Sequence, residues 1–98
     1  MNTIIASTVL LGVLPTEEER NISIEIGTPY TVIEGEWRCP VALSGLHDNL
    51  CDIAGVDAFQ SLVLALKTAK ILLGHFKAEG GELLNPQTRE VVFLDSCF

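Results

Sequence analysis

Cys39, His47, Cys51 and His75 are the residues here whose chemistry could exceed packing, and Asp48 and Asp52 stand beside two of them. A thiolate with an imidazole could form a nucleophilic pair, and the same groups with a carboxylate could ligate zinc. The spacing argues against both. Structural zinc sites use close pairs such as C-x₂-C or H-x₃-H, and the nearest approach here is the lone pair His47-x₃-Cys51. Ser44 lies near His47 and Asp48, but catalytic triads converge from separate elements, so neighbours within one turn do not announce one. No Gly-x-Ser-x-Gly elbow, P-loop or Gly-x-Gly-x-x-Gly is present. Cys39 alternates with Trp37 and Val41, the pattern of a thiol packed as a small hydrophobe. The residues thus assign no catalytic group, no metal ligand and no cofactor. A small enzyme or ligand binder would have its site around Cys39, His47 and Cys51.

The charges read as surface. Glu17, Glu18 and Glu19 suit a solvated turn, because buried unpaired carboxylates are costly. Glu34 and Glu36 flank Gly35 within reach of Arg38 or Arg20, and Lys67, Lys70 and Lys77 make one loose stripe. Thirteen acids against six bases give a net charge of −7, which argues against nucleic acid and anionic membranes and favours a basic protein partner. Three cysteines are an odd number with no disulfide pattern, so a reducing, cytoplasmic location is expected. Ile4 to Leu14 is apolar enough for a signal-peptide core. No Lys or Arg precedes it, and eleven residues cannot span a bilayer as a helix. A buried strand is the expectation.

These groups must be positioned by a small scaffold. Ninety-eight residues suit a single domain, 1–98, with no repeat or linker. At 48% hydrophobic the chain is apolar for its size, so part of its surface could be covered by a partner. Area scaling predicts a folded surface of roughly 5,500 Å². Arg20 to Ile26 alternates strictly, with Ile22, Ile24 and Ile26 on one face, and pairs with the first strand as an antiparallel hairpin. Tyr30 to Gly35 reads as an irregular connection. Glu36 to Leu43 alternates again, with Trp37, Cys39, Val41 and Leu43 on one face, and Pro40 places it at an edge or a bulge. Leu50 to Ala54 reads as a fourth short strand.

A long helix is expected over about 57–78. Asp57 is its N-cap, Gln60 closes a capping box, and Gly80-Gly81 stops it. At 100° per residue Ala58, Leu62, Ala65, Leu66, Ala69, Leu72, Leu73 and Phe76 face the sheet, while Leu64 and Ile71 fall outside. A second subunit or the C-terminal segment is expected to cover those two. In the tail, Val91 to Leu94 reads as a strand paired with a sheet edge or laid across the helix. The fold class is α+β, an antiparallel sheet of four to five strands packed against one long helix.

Several stretches carry a family likeness. Ile5-Ala6-Ser7, Ile26-Gly27-x-Pro29, Trp37-Arg38-Cys39-Pro40, Gly45 and above all Gly55-Val56-Asp57-Ala58-Phe59-Gln60 resemble a family of small bacterial proteins described only as a domain of unknown function. The likeness covers about residues 4 to 76, and its distinctive part is Gly-Val-Asp-x-x-Gln. Ser61 stands where an alanine is expected. The resemblance implies a bacterial source and transfers no catalytic residue. Gly55, Asp57 and Gln60 keep structural roles as a tight turn, a cap and its closure.

The function expected from these residues is a non-catalytic protein-interaction module, with homodimerisation through Leu64 and Ile71 and a basic protein as partner. An immunity-type protein that neutralises a basic toxin is a special case. Tyr30 and Trp37 join Leu64 and Ile71 as candidate contacts, because aromatic residues near an edge often anchor interfaces.

Overall fold

The apolar run and the alternating run after it form a hairpin. Strand β1 (Ile4–Val13) lies antiparallel to β2 (Glu19–Gly27) in the computed structural model of the chain, which describes residues 3–98 with the Cys97 side chain excepted. Leu14 N–H donates to Glu18 O at 2.8 Å, and Glu17 turns the corner at φ 72°. Leu10 faces Ile22, Thr8 faces Ile24 and Ala6 faces Ile26, so these pairs share one side of the sheet, and Ile22, Ile24 and Ile26 are buried. The expected burial of β1 holds only for Leu10 to Gly12, because residues 3–9 are exposed. The cause is the length of its other neighbour. Strand β7 (Glu82–Leu84) pairs with β1 only at Leu11, Gly12 and Val13 before the chain turns away at Asn85 and Pro86.

The segment expected as one strand over 36–43 is cut at Pro40. Trp37–Cys39 (β4) joins a three-stranded sheet with β3 (Tyr30–Thr31) and β6 (Ile53–Gly55), in the order β3-β4-β6. Val41–Ser44 (β5) joins the larger sheet, in the order β5-β2-β1-β7. Pro40 brings no N–H to a ladder, and its carbonyl accepts from Gly27 N–H at 2.9 Å, so the chain changes sheets where a ladder bond is missing. The alternation survives the break, since Cys39, Val41 and Leu43 are all buried. The connection over 30–35 is less irregular than expected, because Tyr30 and Thr31 pair with Arg38 and Trp37.

Helix α1 (Ala58–Ala78) packs on both sheets. Asp57 accepts from Gln60 N–H at 2.7 Å, and Gln60 Oε1 accepts from Val56 N–H at 2.8 Å. The return bond falls one residue earlier than in an ideal capping box. At the far end Gly80, at φ 98°, donates to Lys77 O, and Gly81 donates to Phe76 O, each at 3.0 Å, which makes a Schellman stop.

The face against the core is narrower than the expected one. Ser61, Ala65, Ala69 and Leu73 are buried, Leu62, Leu72 and Phe76 flank them, and Leu66 is exposed. Small residues every fourth position let the helix lie close to the strands. A Cβ on Gly55 would sit 2.6 Å from Ser61 N, so Gly55 is needed where β6 passes beneath the helix.

After β7, the Asn85 side chain accepts from Gln87 N–H at 2.8 Å and Thr88 N–H at 3.1 Å, and Arg89 reaches back to Glu19 at 3.4 and 2.6 Å. The expected strand over 91–94 shrinks to one bridge, Val91 with Leu84, and the bond from Val92 N–H to Leu83 O. Three residues of β7 offer no further ladder, and Leu94–Cys97 becomes the short helix α2, tied to α1 by Lys70 and Asp95 at 2.8 Å. The whole measures 46 × 25 × 23 Å with a radius of gyration of 14.2 Å, against about 13 Å for a compact chain of this length. Its surface of 6134 Å² likewise exceeds the roughly 5,500 Å² that area scaling gives.

Candidate functional site

The small sheet carries the polar groups that come together. β3 and β6 flank β4, so Tyr30 is paired with Arg38, and Arg38 with Ala54. Asp52, two residues before Ala54, falls on that same face, and the Tyr30 hydroxyl donates to it. This bond to a carboxylate raises the Tyr30 phenol above its ordinary value, with desolvation adding to it. Arg38 donates to Glu36 at 3.2 Å, which further favours its charged form. Both partners of that pair are solvent-exposed, so it orders the loop more than it stabilises the fold.

Trp37 occupies the other face of β4, between Thr31 and Gly55, and is half-buried. Tyr30 and Trp37 are therefore neighbours in the sheet but point to opposite sides. Leu64 is half-buried on α1, and Ile71 is exposed beside a groove of about 460 Å³ between α1 and the tail, walled also by Phe93 and Leu94. The C-terminal segment lies next to Ile71 without covering it, since Ile71 keeps 57% of its surface. The four candidate contacts form no single patch.

The thiol and imidazole groups part in the same way. Cys39 is fully buried, its thiol lies 3.5 Å from Gly27 O, and burial pushes its pKa up. A thiol in that setting stays protonated and inert. His47 closes a turn through its N–H to Leu43 O at 2.9 Å, and lines a cleft of about 250 Å³ with Asp48 and Asp52. The walls of that cleft include neither Cys39 nor the exposed Cys51. Among the described residues, no three His, Cys, Asp or Glu side chains are grouped to hold a metal, and no helix is long and apolar enough to cross a membrane.

The exposed apolar residues around the Glu34–Glu36 loop were not singled out by sequence reasoning. Ile33, Val56 and Phe59 are almost wholly exposed, at 103%, 77% and 76%. Glu34, Glu36, Val56 and Gln60 wall one shallow groove, and Phe59 stands three residues from Val56 at the start of α1. A signal was present for Phe59, which falls off the core-facing stripe at 100° per residue. For Ile33 there was none, because an apolar residue in a connecting loop looks like any other.

No curated protein and no solved structure matches the chain. A family model does, over residues 9–90, which starts inside β1 and runs beyond residue 76 through β7 into the tail. The smaller sheet, the break at Pro40 and the capped helix lie within that span, as does the larger sheet apart from the first half of β1, and the chain belongs to the family described as Domain of unknown function (DUF6968).

Proposed function

We propose that this protein is a non-catalytic protein-interaction module that presents the small-sheet end to a basic partner. One observation carries the reading: exposed Val56 shares a groove with two carboxylates, Glu34 and Glu36, while Ile33, next to Glu34 in the chain, and Phe59, three residues after Val56, are exposed as well. Exposed apolar side chains rimmed by like charge suit a partner surface with apolar and basic residues. Tyr30 and Trp37 border the same end of the molecule and serve as its aromatic contacts. A toxin held by an immunity-type protein is one form that such a partner could take.

Within this reading the chain is a single-domain bacterial protein of the cytoplasm, in keeping with its acidity and free thiols, and Gly-Val-Asp-x-x-Gln is the family's helix start. Cys39 contributes packing, so a catalytic alternative would rest on His47 and Cys51 alone. The test is affinity capture from lysate of the source organism with the tagged protein as bait. A stoichiometric basic partner, lost at high salt and lost in Val56→Lys/Phe59→Lys, supports the proposal. Capture that is indifferent to both salt and the double substitution overturns it.

A further inference from the structure

The open edge of β1 is the feature that the proposed site leaves unexplained. Leu14 N–H points to β2, so alternation turns the main-chain groups of Gly12, Leu10 and Thr8 toward β2 and those of Leu11, Val9 and Ser7 toward the opposite edge. Leu11 meets Leu84 there, and β7 goes no further. Val9 and Ser7 therefore offer unpaired N–H and C=O groups on a strand whose residues 4–9 are all exposed, with Ile4, Ile5 and Val9 at 48%, 50% and 43%. Beside this edge runs an apolar groove of about 560 Å³, walled by Ala6, Thr8 and Leu10 on β1 and by Leu66 and Phe98 from α1 and the chain end. A long uncharged edge with an apolar flank templates strand addition unless something covers it.

We propose that the occupant is a second copy of this chain, with β1 paired antiparallel to β1 about a two-fold axis beside Ser7. Charge selects this partner. The chain carries −7 overall, yet residues 3–16 hold no ionisable side chain, so this is the face where two acidic copies meet without repulsion. A basic partner finds no carboxylate on β1 to pair with. Antiparallel pairing is also self-complementary, so one strand supplies both sides. Ser7 then faces Ser7, and Val9 lies opposite Ile5, where the register of β1 shifts between Ile4 and Ala6. The two four-stranded sheets become one, and the surface in excess of a compact monomer is reduced. Roughly 500 Å² per copy is covered, which is near the lower limit for a specific interface and gives a dimer that dissociates on dilution. The family match begins at Val9, so the pairing is assigned to this chain rather than to the whole family.

This inference deepens the interaction reading but uses a different surface, so the two fail separately. Sedimentation equilibrium over a concentration series should show the mass rising from 10.6 kDa toward twice that value. Ser7→Pro removes only an N–H directed at the open edge and leaves the β1–β2 ladder complete, and Val9→Lys adds a charge on an exposed side chain. Both variants should stay monomeric at concentrations where the wild type is dimeric, with unchanged circular dichroism. A wild type that is monomeric throughout overturns the proposal, as does a dimer that survives both substitutions. Either result leaves the capture experiment, which acts through Val56 and Phe59, standing on its own.

Discussion

Replacing Gly55 by alanine is the sharpest test of how α1 is seated. The added Cβ would lie 2.6 Å from Ser61 N, 2.9 Å from Ser61 Cα and 3.1 Å from Gln60 C. Carbon atoms in good contact sit about 3.5–4.0 Å apart, so the helix must retreat by about 1 Å from β6. Its obstacles are backbone atoms and have no rotamer to escape into. Overpacking commonly costs about 1–3 kcal/mol, and this case belongs at the upper end. For a chain of this size that means a fall in Tm of at least about 10 °C. Gly74→Ala is the control. It makes the same chemical change inside α1, where nothing lies within 4 Å, and alanine there should raise stability by about 0.5–1 kcal/mol. Urea and thermal denaturation followed by circular dichroism measure both. Ser61→Ala should not rescue Gly55→Ala, because the clash is with main chain. Near-neutral behaviour of Gly55→Ala, or rescue by Ser61→Ala, would refute the close seating.

Other expectations follow from single contacts. Asp57→Ala removes the acceptor for Gln60 N–H and should cost about 1 kcal/mol in urea unfolding. Arg89 holds the Glu19 carboxyl below its ordinary value, so the stability from this pair is present above the unfolded carboxylate pKa and is lost as pH falls through the lower folded value. The Tm of Arg89→Met should therefore lie below that of the wild type at neutral pH and meet it in acid, once the pH is below the lowered folded value. High salt should shrink the neutral-pH gap, because both side chains are solvent-exposed. A gap constant across pH would show that Arg89 acts by packing. Brief alkylation of the native protein should label the Cys51 peptide and spare Cys39, as peptide mass mapping can read; prompt labelling of both would mean that Cys39 is not held in the core.

The elements were legible wherever one periodicity and one chemical signal agreed. Ile22, Ile24 and Ile26 alternate without exception, and Asp57, Gln60 and Gly80 mark both ends of α1, so the hairpin and the helix are written locally. Pro40 was readable as a disturbance, but the hand-over between sheets depends on Gly27 and the partners of β5, which are distant in sequence. The exposure of residues 4–9 was illegible for a related reason. Their apolar run specifies a strand, while their burial depends on how far β7 extends, and Pro86 decides that seventy-odd residues later. The separation of Cys39 from His47 and the contact of Tyr30 with Asp52 are likewise products of topology. Leu66, expected on the core face, is exposed, and Ser61, absent from that expected face, is buried, because a wheel gives the direction of a face and leaves its width to the neighbours.

The passage through Pro40 ties the two sheets together in series. Residues 37–44 give three residues to one sheet and four to the other, and between them stands one residue whose ring fixes its φ. Slack introduced in one sheet is passed on, since no flexible joint lies between Cys39 and Val41 to absorb it. Amide hydrogens of Arg38 and Ala42 are thereby expected to exchange through one shared opening event, with the same dependence on denaturant, although they belong to different ladders. A partner that grips the small sheet would, by the same linkage, slow exchange in the strand beside β2 that it never touches.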